Sequence, residues 1–383
     1  MSEKIEPFQI QIDDEALEDL RRRLAATRFP DQIEGTGWTY GIELSYLKEL
    51  VAYWRDKFDW RAQEARLNRF EHFHTEIDGQ NIHFIHARSR HERAIPIIIS
   101  HGWPGSVVEF LDVIEPLRDP GAHGGKAEDA FHVICPSLPG YGFSGPTVAT
   151  GWDTQRIAEA FAALMARLGY ARYGAQGGDW GALVTIQLGL LDREHVCGIH
   201  LNMPLASPPE GMDPEALSDQ EKADLAAMAE FDRDETGYQK IQGSKPQSLG
   251  VGLNDSPAGL AAWIVEKFRT WSDCDGDVER CFSKDDLLTN ITLYWLTQTI
   301  TSSTRLYYEV FKGGRMGFLG QKVEVPTGVA RFPKELFRPP RAWVENHYNL
   351  THWTTMPRGG HFAAMEQPEL FVEDVRKFFR SLR

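Results

Sequence analysis

Three short segments carry side chains suited to covalent chemistry: Gly177-Gly178-Asp179-Trp180-Gly181, His101-Gly102-Trp103-Pro104-Gly105 and Arg358-Gly359-Gly360-His361-Phe362. The first fits G-x-nucleophile-x-G, a sharp strand-to-helix turn that exposes its central side chain and tolerates only small neighbours. Its central residue is Asp179. A carboxylate hydrolyses esters and amides poorly as a nucleophile, but it displaces at an sp3 carbon to give an alkyl ester that water then cleaves. That chemistry suits epoxides and alkyl halides. The ordinary reading of an Asp at such a junction is a helix N-cap, and the other two segments weigh against it. The second follows an apolar run, Ile95 to Ser100, and offers a backbone amide at Trp103 that, with the amide of Trp180, forms an oxyanion hole. In the third, His361 stands beside a flexible Gly pair late in the chain, as expected of a base. Ser144, in Gly142-Phe143-Ser144-Gly145, only mimics a serine nucleophile, because it lacks a glycine two places later and stands in a Pro/Gly loop.

These segments need a scaffold, and the hydrophobic pattern supplies one. Ala94 to Ser100 and Phe131 to Pro136 are short apolar runs, as in strands buried on both faces of a sheet. A short strand near Tyr173 and further strands at Val196 to Leu201, Val323 to Ala330 and near Thr351 to Met356 alternate with helical patterns. The helices fall at Ser106 to Leu117, Thr154 to Leu168, Asp179 to Leu191 and Leu370 to Leu382. Alternation of this kind predicts an α/β fold with a mostly parallel central sheet. Ahead of it, residues 13 to 28 and Ile42 to Phe58 read as amphipathic helices. Phe70 to Ile77 and Asn81 to Ala87 read as a hairpin turning at Asp78-Gly79. Pro204 to about Met316 breaks the alternation with mainly helical pattern, as an inserted lid does. The expected division is therefore an N-terminal helix and hairpin extension (1–92), a first core portion (93–203), a helical lid (204–316) and a second core portion (317–383).

Composition narrows the function. With 41 Lys+Arg against 55 Asp+Glu, the net charge of −14 repels nucleic acid and anionic membrane surfaces. No basic leader precedes an apolar segment and no apolar run approaches 18 residues, so a cytoplasmic protein without a membrane anchor is expected. The four cysteines, at 135, 197, 274 and 281, form no C-x-x-C pair and read as reduced thiols. His74, His83 and His86 lack metal-ligand spacing and are expected on the surface or satisfied in the core. Gly140, Gly142 and Gly145 complete no nucleotide-binding fingerprint. No metal and no cofactor are expected. Trp103, Trp180 and Phe110 adjoin the motifs and are candidates to line an apolar pocket.

Taken together, HGWPGS at 101–106, PSLPGYGFSG at 136–145, GGDWG at 177–181, LNDSPAGLAAWIVEKFRTW at 253–271 and RGGHFAAMEQPE at 358–369 resemble the epoxide hydrolases of the microsomal and juvenile-hormone type. With the N-terminal segment FQIQIDDEALEDLRRRLAATRFP, the similarity covers nearly the whole chain. It implies an α/β-hydrolase fold with its chain order of nucleophile, acid, histidine. Asp179 is then the nucleophile, His361 the base and Glu335, in Phe332-Pro333-Lys334-Glu335, the acid that orients it, with Glu345 and Glu366 as rival carboxylates. The resemblance further implies Tyr238 and Tyr307 as donors to the epoxide oxygen. Tyr308 is the adjacent competitor, and only one of the pair faces a cavity because consecutive helical residues diverge by about 100°. It implies, too, a cis Trp103-Pro104 peptide that turns the Trp103 amide toward the nucleophile, and a homodimer formed through the lid. The expected substrates are an apolar or aryl epoxide and water, giving a vicinal diol. A haloalkane dehalogenase is the rival enzyme, disfavoured by the lid tyrosines and the N-terminal segment. A catalytically silent ligand-binding fold is disfavoured because all five candidate side chains are present.

Overall fold

Strands too apolar to face water on either side belong in the middle of a sheet, and they lie there in the computed structural model, which describes residues 4–313 and 321–383. Among the described residues there are nine strands: β1 (Glu6–Phe8), β2 (His72–Ile77), β3 (Gln80–Ala87), β4 (Ile95–Ser100), β5 (Phe131–Pro136), β6 (Tyr173–Gly177), β7 (Val196–Leu201), β8 (Val323–Arg331) and β9 (Tyr348–Thr355). They form one sheet in the order β1-β2-β3-β5-β4-β6-β7-β8-β9. From β5 to β9 every neighbouring pair is parallel, while β1, β2 and β3 join antiparallel at one edge. The hairpin extends the main sheet by pairing β3 with β5. Its turn has φ of 53° at Asp78 and 73° at Gly79, the positive pair that a two-residue connection requires.

The helix Asp179–Leu191 is apolar all round and is buried along nearly its whole length, as such a helix must be. It packs between the sheet and the helix Thr154–Arg167. Crossover from β6 into this helix puts Asp179 at the carboxyl end of a central parallel strand, where open α/β sheets place their ligands.

Between β7 and β8 the chain leaves the sheet, and its described residues there form six α-helices: Asp219–Asp234, Gly237–Gln242, Pro246–Asp255, Pro257–Trp271, Lys284–Thr297 and Ile300–Gly313. The N-terminal segment braces them. Arg23 donates to the Asp255 carbonyl and carboxylate at 2.9 and 2.8 Å, Tyr53 donates to Asp285 at 3.0 Å, and Arg66 pairs with Asp286 at 2.6 Å.

The structure departs from the sequence reading at several elements. The expected helix Ser106 to Leu117 is instead a 3-10 turn, Val107–Phe110, followed by a short helix, Ile114–Arg118. Pro116 explains the break: without an N–H it cannot bond back four residues, and it is accommodated in the first turn of a new helix. Helices at Trp60–Leu67 and Arg341–His347 and the edge strand β1 went unread. The first has a legible signal, since Asp59 accepts from the Ala62 amide as its N-cap. The expected lid end at Met316 and the start of the second core portion at 317 lie outside the described residues. Among the described residues, no helix is long and apolar enough to cross a membrane.

Candidate active site

Asp179 is not an N-cap: that position belongs to Gly178, and the helix begins at Asp179 itself. Its φ of 50° is a left-handed conformation that a side chain adopts at a cost, and it swings the carboxylate away from the helix. The turn closes only with small neighbours. A Cβ on Gly181 would stand 1.9 Å from the Ser100 carbonyl oxygen at the end of β4, and that backbone cannot yield. Gly181→Ala should therefore cost about 3 kcal/mol through overpacking, read as a fall in Tm with the far-UV spectrum retained.

The carboxylate is received from the facing loop, where Trp103-Pro104 is cis. The Trp103 amide donates to Asp179 Oδ1 at 2.7 Å. The glycine at 102 makes the approach possible, because a Cβ there would lie 2.1 Å from the same oxygen. The other oxygen, Oδ2, is 3.4 Å from Nε2 of His361.

His361 is held at three points. Its Nδ1 is 2.6 Å from Glu335 Oε1, and its amide donates to the Trp271 carbonyl at 3.0 Å. Its loop lies alongside that of Glu335, with the Lys334 amide donating to the Gly359 carbonyl at 3.1 Å. Glu335 in turn accepts from the Leu336 amide at 2.6 Å and from Asn202 Nδ2 at 3.3 Å, and Asn202 accepts from Gln176 at 3.0 Å. Burial works against a charge on His361, but the carboxylates of Glu335 and Asp179 outweigh it and raise the imidazole well above its ordinary range.

The rival carboxylates lie elsewhere. Glu345 is exposed and pairs with Arg341 at 2.8 Å. Glu366 accepts from the amides of Asp273, Gly360 and Phe362, so it braces the histidine loop without holding the ring. Ser144 is buried and structural, donating to the Ser137 carbonyl and accepting from the His83 amide. His83 is a core side chain within hydrogen-bonding distance of His72 and Ser137.

Above Asp179 lies a cavity of about 300 Å³. Tyr238 and Tyr307 line it from two lid helices, with ring centroids 5.8 Å apart. Both are buried, and burial pushes both phenols up, so they stay protonated across the neutral range. Tyr308 points outward at 40% exposure. Gln239 donates to the Tyr238 hydroxyl at 3.0 Å, leaving the phenol hydrogen free for another acceptor. Apart from Ser207, the rest of the lining is apolar and includes Leu183, Met203, Met228, Phe311, Leu336 and Phe337.

The pocket reading from sequence needs one correction. Trp180 lines the cavity, but Trp103 and Phe110 do not. Trp103 is stacked against Tyr238, with ring centroids 5.4 Å apart, and both Trp103 and Phe110 border a smaller hollow behind Asp179. Asn202, Trp271 and Gln239 went unread. Leu336 and Phe337 directly follow Glu335, and that adjacency was the available signal.

The same organisation occurs in proteins of known assignment. A family model described as "Epoxide hydrolase N terminus" matches residues 5–110, and one described as "alpha/beta hydrolase fold" matches residues 95–241. The chain is 52% identical, over 99% of its length and 86% of the relative's, to a protein of Stigmatella aurantiaca (strain DW4/3-1) assigned to the epoxide hydrolases. It is 43% identical to epoxide hydrolase 1 of Sus scrofa over 98% of this chain and 88% of that one. The crystal structure of juvenile hormone epoxide hydrolase from Bombyx mori superposes with a TM-score of 0.92 at 35% identity, covering 99% of this chain and 95% of the other. That of Aspergillus niger epoxide hydrolase gives 0.89 at 35% identity, covering 99% and 97%.

Proposed function

The chain belongs to the epoxide hydrolases, and from that premise we propose that it opens its substrate in two covalent steps at Asp179. The observation that carries this reading is one carboxylate facing three groups. Asp179 meets a backbone donor at Oδ1, the imidazole at Oδ2 and the tyrosine-lined cavity above.

In the first step Asp179 Oδ2 attacks an epoxide carbon, and the ring C–O bond breaks. Developing charge on the ring oxygen is met by the Tyr238 and Tyr307 hydroxyls, one of which supplies the proton. The product is a hydroxyalkyl ester of Asp179. In the second step water adds to the ester carbonyl as His361 Nε2, oriented by Glu335, removes a proton from it. The oxyanion forms on Oδ1, where the Trp103 amide already donates, and the Trp180 amide is the second donor of that hole. Collapse breaks the ester C–O bond, His361 returns its proton to the leaving oxygen, and the vicinal diol departs. The remaining hydrogen of the water leaves the regenerated carboxyl, and the phenol is reprotonated.

An apolar lining with few polar groups fixes orientation rather than charge, which suits an apolar or aryl epoxide. Single turnover in H2-18O with enzyme in excess tests the covalent step. Label should enter the Asp179 carboxylate and stay out of the first diol; label in that first diol would mean direct attack by water. Tyr238→Phe and Tyr307→Phe should each slow ester formation about 10-fold, and together about 1000-fold, because either donor partly covers for the other. Rapid-quench measurement of ester formation checks this, with ester decay left nearly unchanged.

A further inference from the structure

Behind Asp179 the structure holds a second, much smaller chamber of about 20 Å³. That is room for one water and little more. Glu109, His361, Ser100, Gln176 and Asn202 border it, and Asp179 is the one described residue that lines both this chamber and the substrate cavity. The nucleophile is thus the partition between them. We propose that this chamber holds the hydrolytic water and that Glu109 is the residue that positions it, an inference that rests on the covalent reading above.

Apolar side chains such as Trp103, Phe110, Phe362 and Phe371 share the walls of the chamber with polar groups that are incompletely satisfied. Ser100 Oγ and Gln176 Oε1 are buried without a hydrogen-bond partner, and a buried water ordinarily takes two to four such partners. Glu109 faces His361 and Asp179, with Tyr294 and the backbone of Gly102 and Ser106 also near it. Burial pushes its carboxyl up to about 8, with His361 opposing that rise and Asp179 adding to it. At neutral pH it therefore keeps both an acceptor oxygen and an O–H donor. Its seat is built into the loop that receives Asp179. A Cβ on Gly105 would lie 1.6 Å from Glu109 Oε1, as one on Gly102 would collide with Asp179. The two glycines of the 101–105 segment each admit one carboxyl group.

Hydrolysis needs a water whose lone pair faces the ester carbon, one hydrogen facing His361 and the other an acceptor. Glu109 is that acceptor. As the O–C bond forms, one hydrogen passes to His361 Nε2 and the second stays on the oxygen, hydrogen-bonded to Glu109. Glu109 is a positioning residue, and its loss should fall on the second step alone.

The test follows both steps by rapid quench and intact-protein mass, on a chromogenic or aryl epoxide turned over by the wild type. Glu109→Leu should form the Asp179 ester within about 3-fold of the wild-type rate and lose it at least about 30-fold more slowly, the scale of a misplaced reactant. Glu109→Gln, which keeps shape and hydrogen bonding, should restore decay to within about 5-fold. Glu109→Asp withdraws the carboxyl by one methylene and gives the same slow decay should the leucine variant not fold. Ester decay at the wild-type rate in these variants, or an equal slowing of both steps, overturns the role. His361→Gln run in parallel separates the two ideas. Trapped ester there with unaltered decay in the Glu109 variants rejects the chamber alone, and absence of ester in His361→Gln rejects the covalent reading.

Discussion

Asp179→Ala should abolish diol formation, with kcat falling by about 10⁴-fold or more, as removal of a covalent nucleophile would. No neighbouring group can replace it. Glu335 lies on the other side of the imidazole, at Nδ1, and Glu109 opens onto the small chamber and not onto the substrate cavity. The loss should be chemical and not structural. The carboxylate accepts one amide, from Trp103, and lies beside a histidine whose main tie is to Glu335. Alanine in a left-handed conformation costs on the order of 1 to 2 kcal/mol, so the variant should fold with a modestly lower Tm. Substrate binding should survive, because the apolar lining and both tyrosines are untouched. Diol formation measured by chromatography, beside circular dichroism of the same preparation, checks both halves. Residual turnover within about 100-fold of wild type would show that a positioned water and the oxyanion donors suffice, as they do for the residual rates of other disabled hydrolytic sites.

His361→Gln separates the steps that Asp179→Ala removes together. The attack on the epoxide requires no base, so the variant should alkylate at Asp179 and stop, with kcat reduced about 10³- to 10⁴-fold. Intact-protein mass spectrometry after mixing with an epoxide should show a stoichiometric gain of one epoxide mass, mapping to the peptide that contains Asp179. In the proposed mechanism, the electrostatics of the resting site explain why the base acts only in the second step. Burial would lower the His361 pKa, but two neighbouring carboxylates raise it well above the ordinary value. Esterification turns Asp179 into a neutral group and removes its share of that support. The imidazolium then loses its proton more readily, and the neutral base appears when the ester does. Because a raised pKa means protonation persists to higher pH, acid should slow hydrolysis before it slows attack. Wild-type enzyme quenched in the steady state at falling pH should therefore carry a rising fraction of ester. A constant fraction would mean that another group controls the second step.

The local chemistry of this protein is written in short contiguous motifs, and for that reason it is legible in order along the chain. A glycine-flanked Asp between a strand and an apolar helix specifies a nucleophile turn through sterics that act within five residues. Apolar runs of five or six specify buried parallel strands, and Asp78-Gly79 specifies the hairpin turn, each through local backbone preference. The interruption near Pro116 belongs to the same class, although periodicity alone read through it. What depends on side chains separated by tens or hundreds of residues was decided by the tertiary structure. Tyr307 and Tyr308 are indistinguishable by type, and only the packing of their helix over Trp180 turns one inward and leaves the other at the surface. Phe110 and Trp103 adjoin the motif but border the small chamber behind Asp179 and not the substrate cavity, with the Trp103 ring stacked against Tyr238. Asn202, Gln176 and Glu109 follow no spacing rule at all. Gln176 and Asn202 meet Glu335 and Asp179 because parallel strands end together on one side of the sheet, and Glu109 joins them from the turn after β4, so the convergence is a property of the folded register rather than of any segment.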